Sequence, residues 1–410
     1  MRPSLALVAL LASVVVSTPS AGVAQTLDEG AVPPSVPALE GLPPEADADA
    51  RAAALEARPT DVLLDAVPEN ASKPLGLLWS TTSEFSPARG ETHTFRIAVD
   101  ERAGVDLVVL GPDGDRVRTL LAGRVLEPGD HDIEWDGRDD DGTLVPDEAY
   151  VPRFRATRGG TATLDDPRRY SGGEILPNLA WRRRGATELS YDLPFPARVL
   201  VRSGVEDGPM LRELLHWEPV DAGRAVVRWD GRDADGVDRF AERDDVWTVV
   251  MAYRLPEFAV ITGGNDRLDY RRYRERWPQR VPELSDVPLQ RRGERLARDH
   301  FLPRGYLPRV SMSFAEPAEP SRFGPPIVSD TLRLRVDVPD EDRWILNASF
   351  YETGFYIDYR FQSEEEQGFV PLVWEYDARS LPPGRHLATV QLFGFGGFIA
   401  SDTVEFLVVE

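Results

Sequence analysis

The chain has 410 residues, a formal net charge of -22 and no cysteine. That length provides for two to four domains, and the missing cysteine excludes disulfides, thiolate chemistry and Cys-ligated metal. A polyanion of this kind is a poor partner for nucleic acid or an anionic membrane surface. Lysine occurs once, at Lys73, so nearly all the basic residues are arginine; a GC-rich genome or a high-salt milieu would each give that bias. In chain order, Arg2 and the apolar run LALVALLASVVV (5–16) read as an export signal over 1–24, with the small residues GVA (22–24) ahead of a cut before Gln25. The run is too short to span a bilayer, and no other segment approaches ~20 consecutive apolar residues. The expectation is an exported protein (periplasmic, cell-surface or extracellular) with no integral membrane span after signal cleavage. Residues 25–74 form a leader rich in Ala, Pro and acids.

From about residue 75 the texture is that of strands. THTFRIAV (92–99), VDLVVLG (105–111), HDIEWDG (131–137) and YVPRFRA (150–156) are short β-rich runs, with GPDGD (111–115) and EPGD (127–130) as turns between them. This spacing predicts a β-sandwich over 75–160. The phrase WDGRDDDG (135–142) then returns as WDGRDADG (229–236), and residues 118–142 moved forward by 94 fall on 212–236 without a gap. Upstream, VDLVVLGPDGDRVRTL matches ARVLVRSGVEDGPMLREL with a one-residue slip. A period of about 90 residues is one domain rather than a solenoid unit, so 161–262 is expected to repeat the first sandwich.

The stretch GDRVRTLLAGRVLEPGDHDIEWDGRDDDGTLVPDEAY resembles the Ig-like domain of the flagellar hook-capping protein (FlgD). That family's pattern is a strand and turn, R-x-L, a P-G turn, W-D-G-x-D-x-x-G, and a last strand opening near P-x-G-x-Y. The first copy follows it, with Glu148 where the family has Gly. The second follows it to Gly236; then VDRFAERDDVW brings three extra residues, and Trp247 stands in for Tyr150. The resemblance implies the fold and says little of function. Hook capping itself is not expected, because no counterpart of the parent's N-terminal hook-binding region is recognised.

Residues 263–305 hold eleven arginines among aromatics. DYRRYRERW and VPLQRRGERLARDHF are each expected to make about two helical turns. The segment is expected to pack on the acidic sandwiches and fix the angle between the second and third domains; the other reading is an arm that binds an anionic partner, with Tyr270, Tyr273 and Trp277 stacking. A third sandwich is expected over 306–410, from TLRLRVDV (331–338), LVWEYDA (372–378), RHLATVQLFG (385–394) and SDTVEFLVVE (401–410). WEYDARSLPPGRHLATVQLFGFGGFIASDTVEF (374–406) resembles the end of the Ig-like modules of large bacterial surface proteins, and the resemblance covers the last hundred residues. Phe395 and Phe398, in the glycine-rich FGFGGF, are expected to be exposed partner or sugar contacts, or else to fold back on the connector.

The aspartates of the repeated phrase raise the question of calcium. With Gly142 at the sixth position of an EF-hand loop, Asp139, Asp141 and Glu148 take positions three, five and twelve, but position one is Gly137. The register fails at the first carboxylate, which leaves Asp136, Asp139 and Asp141 as a weak calcium set. A structural turn explains what both copies share: Trp135 and Trp229 plug the core, Asp136-Gly137 and Asp230-Gly231 turn the chain, and the next Asp accepts backbone N–H groups. None of the five histidines forms an i, i+4 pair, and G-x-S-x-G, P-loop and dinucleotide signatures are missing. The sequence therefore predicts an all-β chain of three tandem Ig-like or fibronectin-like β-sandwiches, with no cofactor and no enzymatic activity. Its expected role is structural, as a scaffold or interaction protein with protein partners in the cell envelope or an extracellular assembly. An adhesin or carbohydrate-binding module is one alternative, and an accessory subunit of a secreted enzyme complex is another.

Overall fold

Alternating side chains build the strands. Along His93–Val99, Phe95, Ile97 and Val99 are buried while Thr94, Arg96 and Ala98 between them are half-buried. Thr331–Asp337 repeats the pattern, with Leu332, Leu334 and Val336 buried between exposed neighbours. The computed structural model describes residues 76–80, 83–265, 268, 270–274, 288, 290–296, 307–316, 321, 324–343, 346, 350–366, 368–394 and 398–409. The expected signal (1–24) and leader (25–74), Trp277 and Phe395 lie outside these residues.

The first sandwich contains β1 (Gly76–Ser80), β2 (Glu84–Phe85), β3 (His93–Val99), β4 (Ala103–Leu110), β5 (Arg116–Leu126), β6 (Gly129–Trp135), β7 (Ala149–Arg158) and β8 (Thr161–Asp165). The second is made of β9 (Ile175–Leu176), β10 (Trp181–Arg184), β11 (Glu188–Leu193), β12 (Ala197–Val205), β13 (Met210–Val220), β14 (Gly223–Arg228) and β15 (Val246–Arg254), and is followed by β16 (Val260–Thr262). A short helix, α1 (Tyr270–Arg274), and a small hairpin of β17 (Gln290–Arg291) and β18 (Glu294–Arg295) come next. The third sandwich contains β19 (Ser311–Phe314), β20 (Ile327–Val328), β21 (Thr331–Asp337), β22 (Tyr351–Ile357), β23 (Arg360–Glu365), β24 (Leu372–Asp377), β25 (Gly384–Gly394) and β26 (Ile399–Val408). In each sandwich a three-stranded sheet faces a larger one: β1-β3-β6 against β2-β16-β7-β4-β5, β10-β11-β14 against β13-β12-β15-β9, and β19-β21-β24 against β20-β26-β25-β22-β23. The chain is thus all-β, with one apolar core per sandwich.

Three sequence expectations need correction. The repeat offset of 94 has no slip upstream. Leu107 pairs with Leu121 and Val201 with Leu215; Leu110 pairs with Arg116 and Gly204 with Met210; and the three irregularities of the β4–β5 ladder recur at the same places in β12–β13. The boundary between the first two sandwiches also moves. β8, placed by sequence in the second, extends β7, and β16 pairs antiparallel with β7 and parallel with β2. The second sandwich is therefore flanked on both sides by chain belonging to the first. Its outgoing and returning linkers touch: Gly173 N–H donates to Arg254 O at 2.8 Å, and a Cβ on Gly172, at φ +84°, would lie 2.7 Å from Pro256 N. Finally, the second arginine-rich run is not helical where it is described. Arg292 (φ 53°) and Gly293 (φ 80°) make the left-handed pair that a two-residue hairpin requires, and this turn joins β17 to β18.

Candidate functional site: the duplicated aspartate turn and the joints around it

Each WDG phrase leaves the end of a strand and must turn sharply. Gly137 (φ 69°) and Gly231 (φ 80°) supply the left-handed residue, and Asp136 and Asp230 accept the amides of Arg138 and Arg232 at 3.1 and 3.0 Å. Arg138 donates to Gly142 O at 2.8 Å and Arg232 to Gly236 O at 2.7 Å. Arg118 and Arg212 likewise donate to the carbonyls of Asp139 and Asp233, at 2.7 and 3.0 Å. The backbone polar groups of the turn are thus satisfied in the same way twice.

The carboxylates once considered for calcium bond within the protein. Asp139 is fully buried; its Oδ1 accepts from the amides of Asp141 (3.0 Å) and Thr143 (2.7 Å), and its Oδ2 from the Tyr273 hydroxyl (2.9 Å). Asp136 is exposed and caps Arg138, and Asp141 is exposed. Among the described residues, no group of three or more histidine and acidic side chains is arranged to hold a metal ion.

The two tryptophans differ. Trp135 is wholly buried, with Phe85 at 5.5 Å, Tyr150 edge-on at 5.4 Å, and Nε1 donating to Arg138 O at 2.9 Å. Trp229 is half-buried, with Phe240 edge-on at 5.2 Å. Equal burial of the pair was expected; the second copy lacks a counterpart of the Phe85 lid among the described residues. Trp247 does not take the place of Tyr150 either. Trp247 pairs with Gly204, and Val151 pairs with the equivalent Leu110, so Tyr150 corresponds to Val246. The aromatic partner comes instead from Phe240, within the VDRFAERDDVW insertion, whose excess over the first copy is two residues.

Around each turn, other parts of the chain are docked. On the first copy these are Tyr270 and Tyr273 of α1, at most 1% exposed within the core of the first sandwich. Tyr270 donates to Asp113 Oδ1 at 2.7 Å, and its hydroxyl fills the space that a Cβ on Gly111 would need. Asn265 ties the approach to α1, bonding Asp147 Oδ1 and Val145 O at 2.8 and 2.9 Å. Tyr270 and Tyr273, expected within a segment packed on the sandwiches or else as stacking contacts for an anionic partner, are core residues of the first sandwich. Helical i, i+3 spacing puts both rings on one face, and their apolar area outweighs the arginines around them. Farther along, Arg291 reaches the linker, donating to Gly172 O at 3.0 Å and Glu174 Oε1 at 2.9 Å.

On the second copy the docked part is the third sandwich. Tyr359, in the turn between β22 and β23, packs with Val205, Leu211, Phe240 and Trp229. Its hydroxyl donates to Asp238 Oδ2, and Arg243 lies over its ring at 4.3 Å. Gln391 Oε1 accepts the amide of Met210 at 2.7 Å, and Asp235 Oδ2 that of Thr403 at 3.0 Å. Phe398, expected to be exposed, is buried: Gly394 N–H donates to Phe398 O at 3.0 Å, and the ring folds onto Gly394, where a Cβ would meet it at 2.1 Å.

A third joint links the first and second sandwiches directly. Arg198 on β12 donates to Glu148 Oε2 at 2.6 Å, and neither side chain is more than 1% exposed. Arg198 also reaches Trp217 O at 3.1 Å. Glu148 is the residue that departs from the glycine of the resembled family, and the departure places a carboxylate against the next domain. That was the one signal in the sequence for this pair; nothing pointed to the Gln391 contact.

No family model matches the chain. Over 67 residues, 16% of the chain, it is 37% identical to the basal-body rod modification protein FlgD of Salmonella typhimurium and, to the same extent, to that of Salmonella typhi. The match spans 28% of the length of those proteins. Among solved structures, fibronectin(III)-like modules of Clostridium thermocellum CbhA are similar at 8% identity, covering 81% of this chain and 94% of that one, with a TM-score of 0.18. A tetra-tandem repeat from a large adhesion protein is similar at 12% identity, over 82% and 74% of the two chains, again with a TM-score of 0.18. Superpositions that loose add nothing to the strand topology above. Among the described residues, no helix is long and apolar enough to cross a membrane.

Proposed function

We propose that the protein is an exported, non-enzymatic scaffold of the cell envelope or an extracellular assembly, in which three sandwiches are held in fixed register to space or present a partner. One observation carries this reading. The side chains of the repeated motif, which in another setting could bind a ligand or a metal, are spent on the turn and on holding neighbouring parts of the chain. The local likeness to FlgD, a protein named for modifying a basal-body rod, is compatible with an assembly role and does not transfer that protein's partners. The test is fractionation and cross-linking of the tagged chain in its native host. Recovery outside the cytoplasm in a stable protein complex is expected; a cytoplasmic, unassembled chain would refute the reading.

A second reading, adhesion through the third sandwich, is favoured by Phe350 (84% exposed), Phe369 (55%) and Phe361 (51%) rather than by the FGFGGF stretch. A glycan array separates the two: saturable binding lost on replacing Phe350 and Phe369 by serine would favour adhesion.

A further inference from the structure

The small sheets of the first two sandwiches are built alike, and their outer faces carry opposite charge. In the first, Phe95, Ile97 and Trp135 belong to the core, so alternation puts Arg96 of β3 and Asp130, Asp132 and Glu134 of β6 on the outer side. In the second, Leu189, Tyr191 and Val227 belong to the core, which leaves Glu188 and Asp192 of β11 and Arg224, Val226 and Arg228 of β14 outside. The repeat offset of 94 sets Asp130 on Arg224, Asp132 on Val226 and Glu134 on Arg228. The edge strand β10 adds Arg182 and Arg184 to the second face, in register with Ser190 and Glu188.

On the first face three carboxylates stand against the Arg96 guanidinium; on the second, four guanidinium groups stand against Glu188 and Asp192. Asp130, Asp132, Glu134, Arg182, Arg184, Arg224 and Arg228 are all exposed, so neither face is covered within the chain. The ion pairs Arg96–Asp132 (2.6 Å) and Arg228–Glu188 (3.0 Å) stay inside their own sheets and leave each face with its surplus. Val226, where the first copy has Asp132, is an exposed apolar side chain at the middle of the basic face. In a chain of net charge -22, a basic sheet face with an apolar centre calls for an acidic surface of matching shape. The acidic face of the first sandwich has that charge, and it is built on the same ladder.

We propose that a second copy of the chain is the occupant: the acidic β3–β6 face of one molecule docks on the basic β11–β14 face of the next. With the strands of the two sheets antiparallel, β6 lies over β14, Asp130 over Arg228 and Glu134 over Arg224, and Val226 is covered. The two faces are different surfaces, so the contact is heterologous. Each added molecule leaves one face of each sign open, and assembly runs on to a ring or a filament. A three-stranded face is only about 10 Å by 20 Å from strand spacing and rise, well under the ~800 Å² per partner of a standard interface. Single contacts are therefore weak and reversible. The repulsion between whole acidic molecules is screened beyond ~8 Å at physiological ionic strength, whereas the apposed charges are in contact. This association does not depend on where the chain works.

The test is sedimentation velocity of the full chain with charge reversals on either face. At an ionic strength of about 0.15 M the wild type should form larger species as its concentration rises through the micromolar range, and at about 1 M, where screening reaches to ~3 Å, it should be monomeric. Arg224→Glu with Arg228→Glu makes both faces acidic, and Asp130→Arg with Glu134→Arg makes both basic; each double variant alone should associate at least about tenfold more weakly. Mixing the two variants should restore assembly, because each then meets a face of opposite sign. Should reversal beside Glu188 unfold the second sandwich, Arg224→Gln with Arg228→Gln keeps the test, with association weakened by a smaller factor. A wild type that stays monomeric at high micromolar concentration, folded variants that assemble as the wild type does, or a mixture of the two folded reversals that stays monomeric would each overturn the proposal.

Discussion

The two copies of the aspartate turn share a backbone and differ in what covers them. In the first, a helix from the same chain seals the turn: Tyr273 completes the bonding of Asp139, and Phe85 and Tyr150 close over Trp135. In the second, a separate sandwich does the covering, Trp229 stays half-buried, and Asp233 Oδ2 is left without a bond. Duplication preserved the local chemistry, with its glycines, capping aspartates and ladder irregularities, because the turn cannot form without them. The faces around the turn were free to diverge, one toward a permanent core and the other toward a joint between domains.

The sharpest way to break this contrast is through the buried pair that holds the copies together. Arg198→Met should strip the buried Glu148 carboxylate of its guanidinium and cost about 3–5 kcal/mol in chemical denaturation. Adding Glu148→Met should recover much of that loss, since a matched apolar pair no longer buries a charge. Next come the tryptophans. Trp135→Ala should cost about 3–5 kcal/mol, and Trp229→Ala distinctly less, because only the first indole is fully enclosed. Equal losses would mean that the second core is better sealed than its exposure indicates.

A smaller effect separates the copies by pH. Burial holds His93, in the first sandwich, down to about 4. Its folded value lies below its unfolded one, so the unfolded chain takes up the proton first, and the first sandwich should lose stability as pH falls from about 6.5 towards 4. Thermal melts of His93→Phe should show a flatter acid limb than the wild type; an unchanged limb would place the acid sensitivity elsewhere.

Much of the fold was legible because it is written in local rules. Strand alternation at Phe95, Ile97 and Val99, the turn signals, and the gapless repeat gave three sandwiches and the place of the tryptophans. What could not be read was long-range. Val260–Thr262 looks like any short strand, and nothing in its composition says that it pairs with Ala149 and Tyr150, more than a hundred residues earlier. Tyr270 and Tyr273 sit in an arginine run whose charge predicted packing on the acidic sandwiches, but nothing local says that the two rings enter the core of the first. Glu148 was visible as an oddity, but its reason, Arg198, lies in the next domain. The candidate site was found as a motif; its docking role depended on partners far away in sequence.

The docking role of the repeated turn is tested most directly by a double-mutant cycle on Asp139→Asn and Tyr273→Phe, read by equilibrium denaturation of the full chain. A coupling of about 0.5–3 kcal/mol is expected for side chains in one buried hydrogen bond. Additive losses, with coupling indistinguishable from zero, would contradict the claim that the turn holds the helix that follows the second sandwich.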